Sequence, residues 1–368
     1  MKILFDDQMF TIQQYGGITR YFYEMAHRLA DRPDINVRMI APLYVNRYIE
    51  DLPFLTGRRI PFFRGASHLC VRVNARLGTR KVAEFAPDII HETYYAARVP
   101  PIPGAKRILT VFDMIHERFS SSVKKPDALM CAKKAAVERS NHIICISENT
   151  KRDLVNMLQV NPEKVSVIYL ASSLCPDRGR ASSIRAPYIL YVGPRGRYKN
   201  FDRLLQAYAA SSRLLKDVKL VCFGGGRRTR SEYARQNQLN IPAENVVRVS
   251  GNDTVLAGLY QHASVFVYPS LYEGFGIPPL EAMRCGCPVI CSNTSSLPEV
   301  VGDAACLIDP YEVGGITHAL EHVLYSTGYA MSLVERGKER AMHFSWDACV
   351  AQTLDVYRQA GLGRRDYL

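Results

Sequence analysis

Short apolar runs alternate with helix-patterned segments along this chain, and the whole alternation occurs twice. In the first series, the runs that resemble buried strands are residues 2–5, 37–41, 88–90, 108–111, 142–146 and 165–169. In the second series, they are residues 188–192, 219–223, 246–249, 265–268, 288–291 and 305–308. Strands that alternate with helices in this way form parallel sheets with helices on both faces. The pattern therefore predicts an α/β protein with two doubly wound sheets.

A polar stretch separates the two series and sets the predicted domain boundaries. Residues 172–186 contain Pro176, Gly179 and a serine pair, which favour a hinge loop over a helix or strand. We therefore assign residues 1–172 to an N-terminal Rossmann-like domain and residues 187–345 to a C-terminal one. Ligands bind outside the carboxyl ends of parallel strands, so we expect a site in the crevice between two facing sheets.

The balance of charges favours an anionic partner. The chain has 47 Lys and Arg residues against 35 Asp and Glu residues, which gives a net charge of +12. Such a charge is typical of proteins that meet a nucleic acid, a phosphate-bearing substrate or an acidic membrane face. Because neither zinc spacing nor a basic-aromatic RNA-binding signature accompanies the charge, we expect no nucleic acid as a partner.

Cysteine usage and hydropathy indicate a cytoplasmic protein without a metal. The ten cysteines form neither a CxxC pair nor a Cys/His array, and several lie inside apolar runs. We interpret them as reduced thiols of the core. The sequence has no apolar signal segment near Met1 and no run of eighteen apolar residues. We therefore predict a cytoplasmic location.

Residues 269–283 follow a predicted strand and open a helix. Gly274 and Gly276 allow the backbone to approach a ligand closely, and the N–H groups at a helix start favour negative charge. Such a helix end is suited to a diphosphate. One turn into the helix, the Glu281 carboxylate can accept hydrogen bonds from the two hydroxyls of a ribose. Glu273 lies on the loop, nearer to a sugar.

These residues carry a resemblance to a known family. The spacing from Glu273 to Glu281 matches an E-x7-E signature, and supporting words occur in order at residues 15–21, 192–200 and 286–290. Together they resemble glycosyltransferase family 4, the retaining GT-B enzymes. The resemblance implies two Rossmann-like domains facing a cleft, with the C-terminal segment 346–368 crossing back as a helix to the N-terminal domain. It also implies retention of the anomeric configuration.

The same resemblance implies a set of site residues. In the family, the first glutamate contacts the donor sugar and the second contacts the ribose, which would give these roles to Glu273 and Glu281. Basic groups contact the donor diphosphate; Lys199 matches that position, and Arg195 is favoured over Arg197. Fixed cations can stabilise the departing nucleoside diphosphate without a metal. The remaining residues predicted to bind the donor are Gly16, Gly17, Gly274, Phe275, Gly276 and Ile277.

The loop after residues 108–111 departs from the family pattern. Many relatives have an active-site histidine immediately before the aspartate, where this sequence has Phe112 before Asp113. His116 follows in a segment that resembles a branch of the family reading Asp-Met-Ile-His-Glu. One hypothesis makes His116 the replacement for the missing histidine, and the other gives it a structural role.

Two further segments keep alternative interpretations. Residues 58–81 carry seven basic residues and no acidic ones, interleaved with apolar residues, which is typical either of a contact with anionic lipid or of an ordinary helix with a solvated face. Gly224, Gly225 and Gly226 follow a predicted strand, where they form a tight turn or admit part of the nucleotide. We favour the turn.

The sequence thus predicts a metal-independent, retaining glycosyltransferase. The expected donor is a nucleotide-diphosphate sugar, and the resemblance, which is closest to bacterial enzymes that build O-antigen or exopolysaccharide, favours GDP-mannose over UDP- and dTDP-sugars. The expected acceptor is lipid-linked or an oligosaccharide, in bacterial surface polysaccharide synthesis. A sugar-nucleotide epimerase or a phosphorylase of the same architecture remains as an alternative, although no marker of a pyridoxal phosphate lysine is present. A dinucleotide oxidoreductase is disfavoured because no G-x-G-x-x-G opens the first helix.

Overall fold

The computed structural model describes residues 1–119, 128–174, 176, 184, 187–227 and 229–362. The chain divides into two compact units, which are Met1–Leu170 with Trp346–Leu368, and Ala171–Ser345. We call them unit 1 and unit 2. Much of the predicted hinge at residues 172–186 lies outside the described residues.

Each unit is built on one parallel sheet. Among the described residues, the strands of unit 1 are β1 (Lys2–Phe5), β2 (Asn36–Tyr44), β3 (Leu55–Arg59), β4 (Ile89–Glu92), β5 (Lys106–Val111), β6 (His142–Cys145) and β7 (Val165–Val167). Those of unit 2 are β8 (Tyr188–Val192), β9 (Lys219–Phe223), β10 (Val246–Val249), β11 (Val265–Tyr268), β12 (Val289–Ser292) and β13 (Cys306–Ile308). The spatial orders are β3-β2-β1-β4-β5-β6-β7 and β10-β9-β8-β11-β12-β13. Both orders reverse beside the first strand of their sheet, which is the doubly wound pattern that the sequence predicted.

Helices connect nearly all of the strands. Within the described part of the chain they are α1 (Gly17–Ala30), α2 (Ala66–Phe85), α3 (Ile115–Arg118), α4 (Ala128–Arg139), α5 (Glu148–Leu158), α6 (Phe201–Ala209), α7 (Ser212–Asp217), α8 (Arg230–Gln238), α9 (Asp253–His262), α10 (Ile277–Arg284), α11 (Leu297–Val301), α12 (Val313–Tyr325), α13 (Thr327–Met342) and α14 (Trp346–Leu362). The connection from β4 to β5 is an exception, since residues 93–105 form neither a helix nor a strand.

Strand β3 is the one element of the sheets that the sequence pattern does not reveal. Its residues Leu-Thr-Gly-Arg-Arg form no apolar run, because β3 is a half-exposed edge strand that pairs only with β2. A Cβ atom at Gly57 would lie 1.7 Å from the carbonyl oxygen of Ala41. The close approach of the two backbones therefore requires a glycine at this point of the strand.

The C-terminal helix α14 belongs to unit 1. The ring of Trp346 lies 6.2 Å from that of Tyr21 on α1, and Tyr357 is fully buried. The Tyr357 hydroxyl hydrogen-bonds Nδ1 of His91, at 2.5 Å. Side chains alternate across a strand, so His91 and Phe5 share the face covered by α1 and α14, while Leu4 and Ile90 pack toward α2.

Candidate functional site

The start of helix α10 is shaped by glycine and proline. Gly276 has φ of +135°, a conformation that favours glycine, and a Cβ atom there would lie 3.0 Å from Cδ2 of Leu297. Pro278 and Pro279 occupy the first turn, where a missing N–H costs little. Because two of the first three residues of α10 lack an N–H, the Ile277 N–H and the helix dipole make this end electropositive and able to receive an anion.

A hydroxyl-rich loop after β12 fixes the segment that leads into α10. Ser295 Oγ accepts from the Glu273 N–H at 2.9 Å, and the single O–H of Ser296 is shared between the carbonyls of Glu273 and Phe275, at 2.9 and 2.5 Å. Thr294 Oγ1 donates to the carbonyl of Leu271. Sequence reasoning missed these three residues. The signal was a run of three hydroxyl residues, which is separated by two residues from the predicted strand 288–291.

Lys199, Glu273 and Tyr268 form one polar cluster beside this helix start. Lys199 Nζ donates to Glu273 Oε1 at 2.7 Å and to the Tyr268 hydroxyl at 2.8 Å. The side chains of Lys199 and Glu273 are 12% and 11% exposed. Burial, with the nearby Glu273 carboxylate, holds the pKa of Tyr268 well above its usual range. Tyr268 is therefore a neutral phenol. The cluster holds one cation and one carboxylate at the carboxyl end of β11.

Glu281 lies in the body of α10 and is nearly buried. Its Oε2 accepts a hydrogen bond from the Tyr260 hydroxyl at 3.2 Å, and burial with the nearby carboxylate raises the pKa of that tyrosine far above its usual range. Tyr260 is therefore a neutral phenol that donates to Glu281. Such a fixed carboxylate is suited to accepting further hydrogen bonds from ligand hydroxyls.

Arg195 is held in the protein rather than extended into solvent. Its Nε donates to Glu232 Oε1 at 2.7 Å, and its Nη atoms donate to the carbonyls of Gly224 and Gly226 at 2.9 and 3.1 Å. The three glycines have φ of +79°, +70° and +73°, which only glycine adopts readily. Residues 224–226 are thus a tight turn, as favoured from the sequence. Arg195 fastens this turn to the loop after β8.

The predicted residues of unit 1 form no comparable cluster within the described residues. Gly16 precedes α1 and Gly17 is its first residue. His116 is exposed on the single turn of α3. Phe112 is buried against Tyr21, with the ring centroids 5.4 Å apart. The structure thus brings Lys199, Glu273 and residues 274–277 together in unit 2, whereas Gly16, Gly17 and His116 lie in unit 1.

The segment after Phe112 is anchored by a buried ion pair. Lys133 on α4 donates to Glu117 Oε2 at 2.7 Å and to the carbonyl of Asp113 at 2.9 Å. Asp113 Oδ1 accepts from the Ile115 N–H. Glu117 and Asp113 therefore have structural contacts here, which the sequence pattern did not reveal.

The described residues contain neither a candidate metal centre nor a candidate membrane-spanning helix. Across the described ranges, no group of three or more His, Cys, Asp or Glu side chains is arranged to hold a metal ion. None of the helices in those same ranges is both long and apolar enough to span a membrane.

Comparison with known proteins identifies the class of enzyme. A family model described as "Glycosyltransferase Family 4" matches residues 15–171, and one described as "Glycosyl transferases group 1" matches residues 180–340. The O-antigen chain mannosyltransferase B of Escherichia coli is 27% identical, over 97% of this chain and 100% of its own length. The MMP alpha-(1->4)-mannosyltransferase of Mycolicibacterium hassiacum is 30% identical, over 59% of this chain and 54% of its own length.

The solved structures agree with the family models. Sucrose-phosphate synthase from Thermosynechococcus elongatus has a TM-score of 0.77 at 20% identity, covering 97% of this chain and 98% of its own. With the two parallel sheets, these findings confirm an α/β glycosyltransferase of the GT-B fold. The chain belongs to glycosyltransferase family 4.

Proposed function

We propose that this enzyme transfers mannose from a nucleotide-diphosphate donor, with GDP-mannose as the favoured donor and with retention of configuration. The observation that carries the proposal is the Lys199–Glu273 pair beside the start of α10. The similarity to a mannosyltransferase of O-antigen chains supports the choice of sugar and the place in surface polysaccharide synthesis.

The charged residues in and near this cluster have roles that follow from their charges and positions. As the sugar leaves, negative charge grows on the diphosphate, and Lys199 with the electropositive start of α10 stabilises that charge. Glu281 binds the ribose hydroxyls. Glu273 accepts hydrogen bonds from the sugar and fixes Lys199 through their ion pair. Arg195 acts indirectly, because its donors already hold Glu232 and the glycine turn.

The donor can be tested by a thermal-shift screen of GDP-, UDP- and dTDP-sugars. A ligand at 100 times its dissociation constant stabilises the protein by about 2.7 kcal/mol. We expect the largest shift with GDP-mannose and an α-linked product by proton NMR of the anomeric signal. A larger shift with a UDP- or dTDP-sugar would contradict the donor, and a β-linked product would contradict retention.

Glu281→Ala tests the ribose contact. Hydrogen bonds to a charged group contribute roughly 1.5–3 kcal/mol each, so nucleotide affinity should fall at least about tenfold in titration calorimetry. Glu339→Ala is the matched control, since Glu339 is exposed on α13. Unchanged affinity of Glu281→Ala would contradict the assignment.

The acceptor side of the proposal involves an anionic membrane. In unit 1, Phe62 and Phe63 are 54% and 49% exposed and precede α2, whose Leu77 is 57% exposed. The exposed Arg64, Arg72 and Arg76 lie in the same stretch. Cations bind acidic lipid while aromatic rings enter the headgroup boundary. We infer that this surface brings the enzyme to a lipid-linked acceptor.

Liposome co-sedimentation tests this surface. Substitution of Arg64, Arg72 and Arg76 by Ser should weaken binding to anionic liposomes, and salt should release the wild-type protein. Arg59 is omitted, since it pairs with Glu50. The matched control replaces three exposed cations of unit 2, which are Lys216, Arg230 and Arg248. Equal binding to anionic and neutral liposomes, or binding to neither, would favour a soluble acceptor.

A further inference from the structure

Unit 1 contains a cavity of about 320 Å³ beside its sheet. It lies between α2, the sheet face of Leu4, Ile40 and Ile90, and the connection from β4 to β5. In a doubly wound sheet a helix normally connects consecutive strands and covers this face. Residues 93–105 contain no helix, so the volume that a helix would fill is left open.

The cavity has a polar end and an apolar end. Asp6 and Asp7 follow β1 at the carboxyl edge of the sheet, where Asp6 Oδ1 accepts from the Thr93 N–H at 2.9 Å and Asp7 is hydrogen-bonded to Asn74. The other end is lined by Val82 on α2, Ile90 on β4 and Ile102 in the β4–β5 connection, which pack together. Carboxylates accept hydrogen bonds from ligand hydroxyls. The aliphatic end disfavours hydroxyls, because it offers them no hydrogen-bond partner. The cavity thus matches a ligand with a hydroxylated head and an apolar chain.

The cavity also opens onto the basic surface of α2. Val71, Ala75 and Thr79 line it at helical spacing and are exposed, Val71 by 56% of its surface. Arg72 and Arg76 alternate with them along the helix. A chain leaving an acidic lipid surface held by these arginines would therefore meet the apolar wall of the cavity directly.

We propose that this cavity binds the apolar aglycone of the acceptor, with the acceptor sugar at Asp6 and Asp7. The proposal rests on the proposed function for the identity of that sugar. The expected aglycone is an alkyl or isoprenoid chain, because a plain saccharide would leave the aliphatic end of the cavity empty. Charge complementarity with an acidic lipid surface and the two-ended lining support this occupant.

A chain-length series tests the cavity without any nucleotide. Methyl, butyl and hexyl α-mannosides, kept below their micelle concentrations, are titrated into the full-length protein and followed by ligand-observed NMR. Burial of a methylene contributes about 0.8 kcal/mol, so affinity should rise by up to about fourfold for each added methylene. An affinity independent of chain length would overturn the proposal.

Variants on α2 locate the chain. Ala75→Phe and Thr79→Phe narrow the cavity from its exposed side and should abolish the chain-length dependence. Ala83→Phe is the matched control, since Ala83 is exposed on the same helix and does not line the cavity. Circular dichroism and nucleotide binding establish that each variant is folded.

Adsorption to the outer surface of α2 is the competing outcome. Leu77 is exposed and does not line the cavity, so Leu77→Ser should leave the dependence intact. If the dependence of affinity on chain length were lost in Leu77→Ser and kept in Ala75→Phe, the proposal would be overturned. Failure of the proposed function is distinguishable, because it would show as absent mannosyl transfer while the chain-length dependence persists.

Discussion

The two units each contain a tyrosine hydroxyl bonded to a titratable side chain at the sheet, and the two clusters differ in charge. In unit 1, Tyr357 bonds His91, whose Nε2 bonds Thr110 at 2.8 Å. Burial lowers the pKa of His91 to about 3, so this cluster is neutral. In unit 2, Tyr268 bonds Lys199, which is paired with the Glu273 carboxylate.

The difference separates a structural cluster from a candidate catalytic one. His91 is fully buried and both of its ring nitrogens have protein partners, so it connects α14 to the sheet and offers nothing to a ligand. Lys199 and Glu273 retain some exposure, and a cation with three donors can contact a further anion. Burial and charge together therefore make the Lys199–Glu273 cluster the candidate for substrate binding.

The largest expected effect comes from Lys199→Ala. Removal of one preorganised donor from a developing negative charge costs about 10²–10³-fold in kcat. We expect a loss of this size in steady-state kinetics, with nucleotide affinity changed much less. Lys216→Ala, at an exposed lysine of α7, should leave kcat unchanged. Wild-type turnover in the folded Lys199→Ala variant would contradict a catalytic role of the Lys199–Glu273 cluster.

Asp6 of unit 1 is a carboxyl group whose protonation changes near neutral pH. Burial, with smaller contributions from the Glu92 and Asp7 carboxylates, raises its pKa from 3.8 to about 7, while hydrogen bonds from Thr93 act in the opposite direction. A raised pKa stabilises the fold below about pH 4, and this stabilisation is lost as pH rises through 7.

Asp6→Asn should therefore gain stability relative to the wild-type protein as pH increases. The expected change is on the order of 2 kcal/mol between pH 5.5 and 7. Trp346 is the single tryptophan and lies in unit 1, so its fluorescence in urea reports the unfolding of that unit. Asp51→Asn, at an exposed site, is the control. A difference that does not vary with pH would contradict the raised pKa.

The loop and helix start that carry Glu273 and Glu281 were predictable because they depend on local spacing. A short loop and the first turn of α10 connect Glu273 to Glu281. Their separation of eight positions therefore determines how both residues are placed along the chain. Lys199 is distant in sequence from Glu273, and the family pattern assigned it to the donor diphosphate without predicting its ion pair with Glu273. Its partner Tyr268 ends β11, where the sequence shows merely an apolar strand.

The rest depends on contacts that no local pattern encodes. Arg195 was predicted to bind the diphosphate. In the structure, its guanidinium instead donates to Glu232 and to the glycine turn, which lie about 30 residues later in the sequence. The cavity of unit 1 arises from a missing helix between β4 and β5, and prolines with few periodic apolar residues were its only sign. Strand β3 was missed because an edge strand needs no apolar run.

The smallest effect, and the sharpest test of the comparison, is expected from Tyr357→Phe. Loss of the hydroxyl leaves Nδ1 of the buried His91 without its partner, which costs about 1–3 kcal/mol. Trp346 fluorescence in urea should therefore report a less stable unit 1, while kcat and nucleotide affinity stay at wild-type values. Tyr311→Phe is the control, since Tyr311 is 57% exposed in unit 2. A fall in kcat with unchanged stability would mean that the neutral cluster takes part in the reaction, and the distinction between the two clusters would then fail.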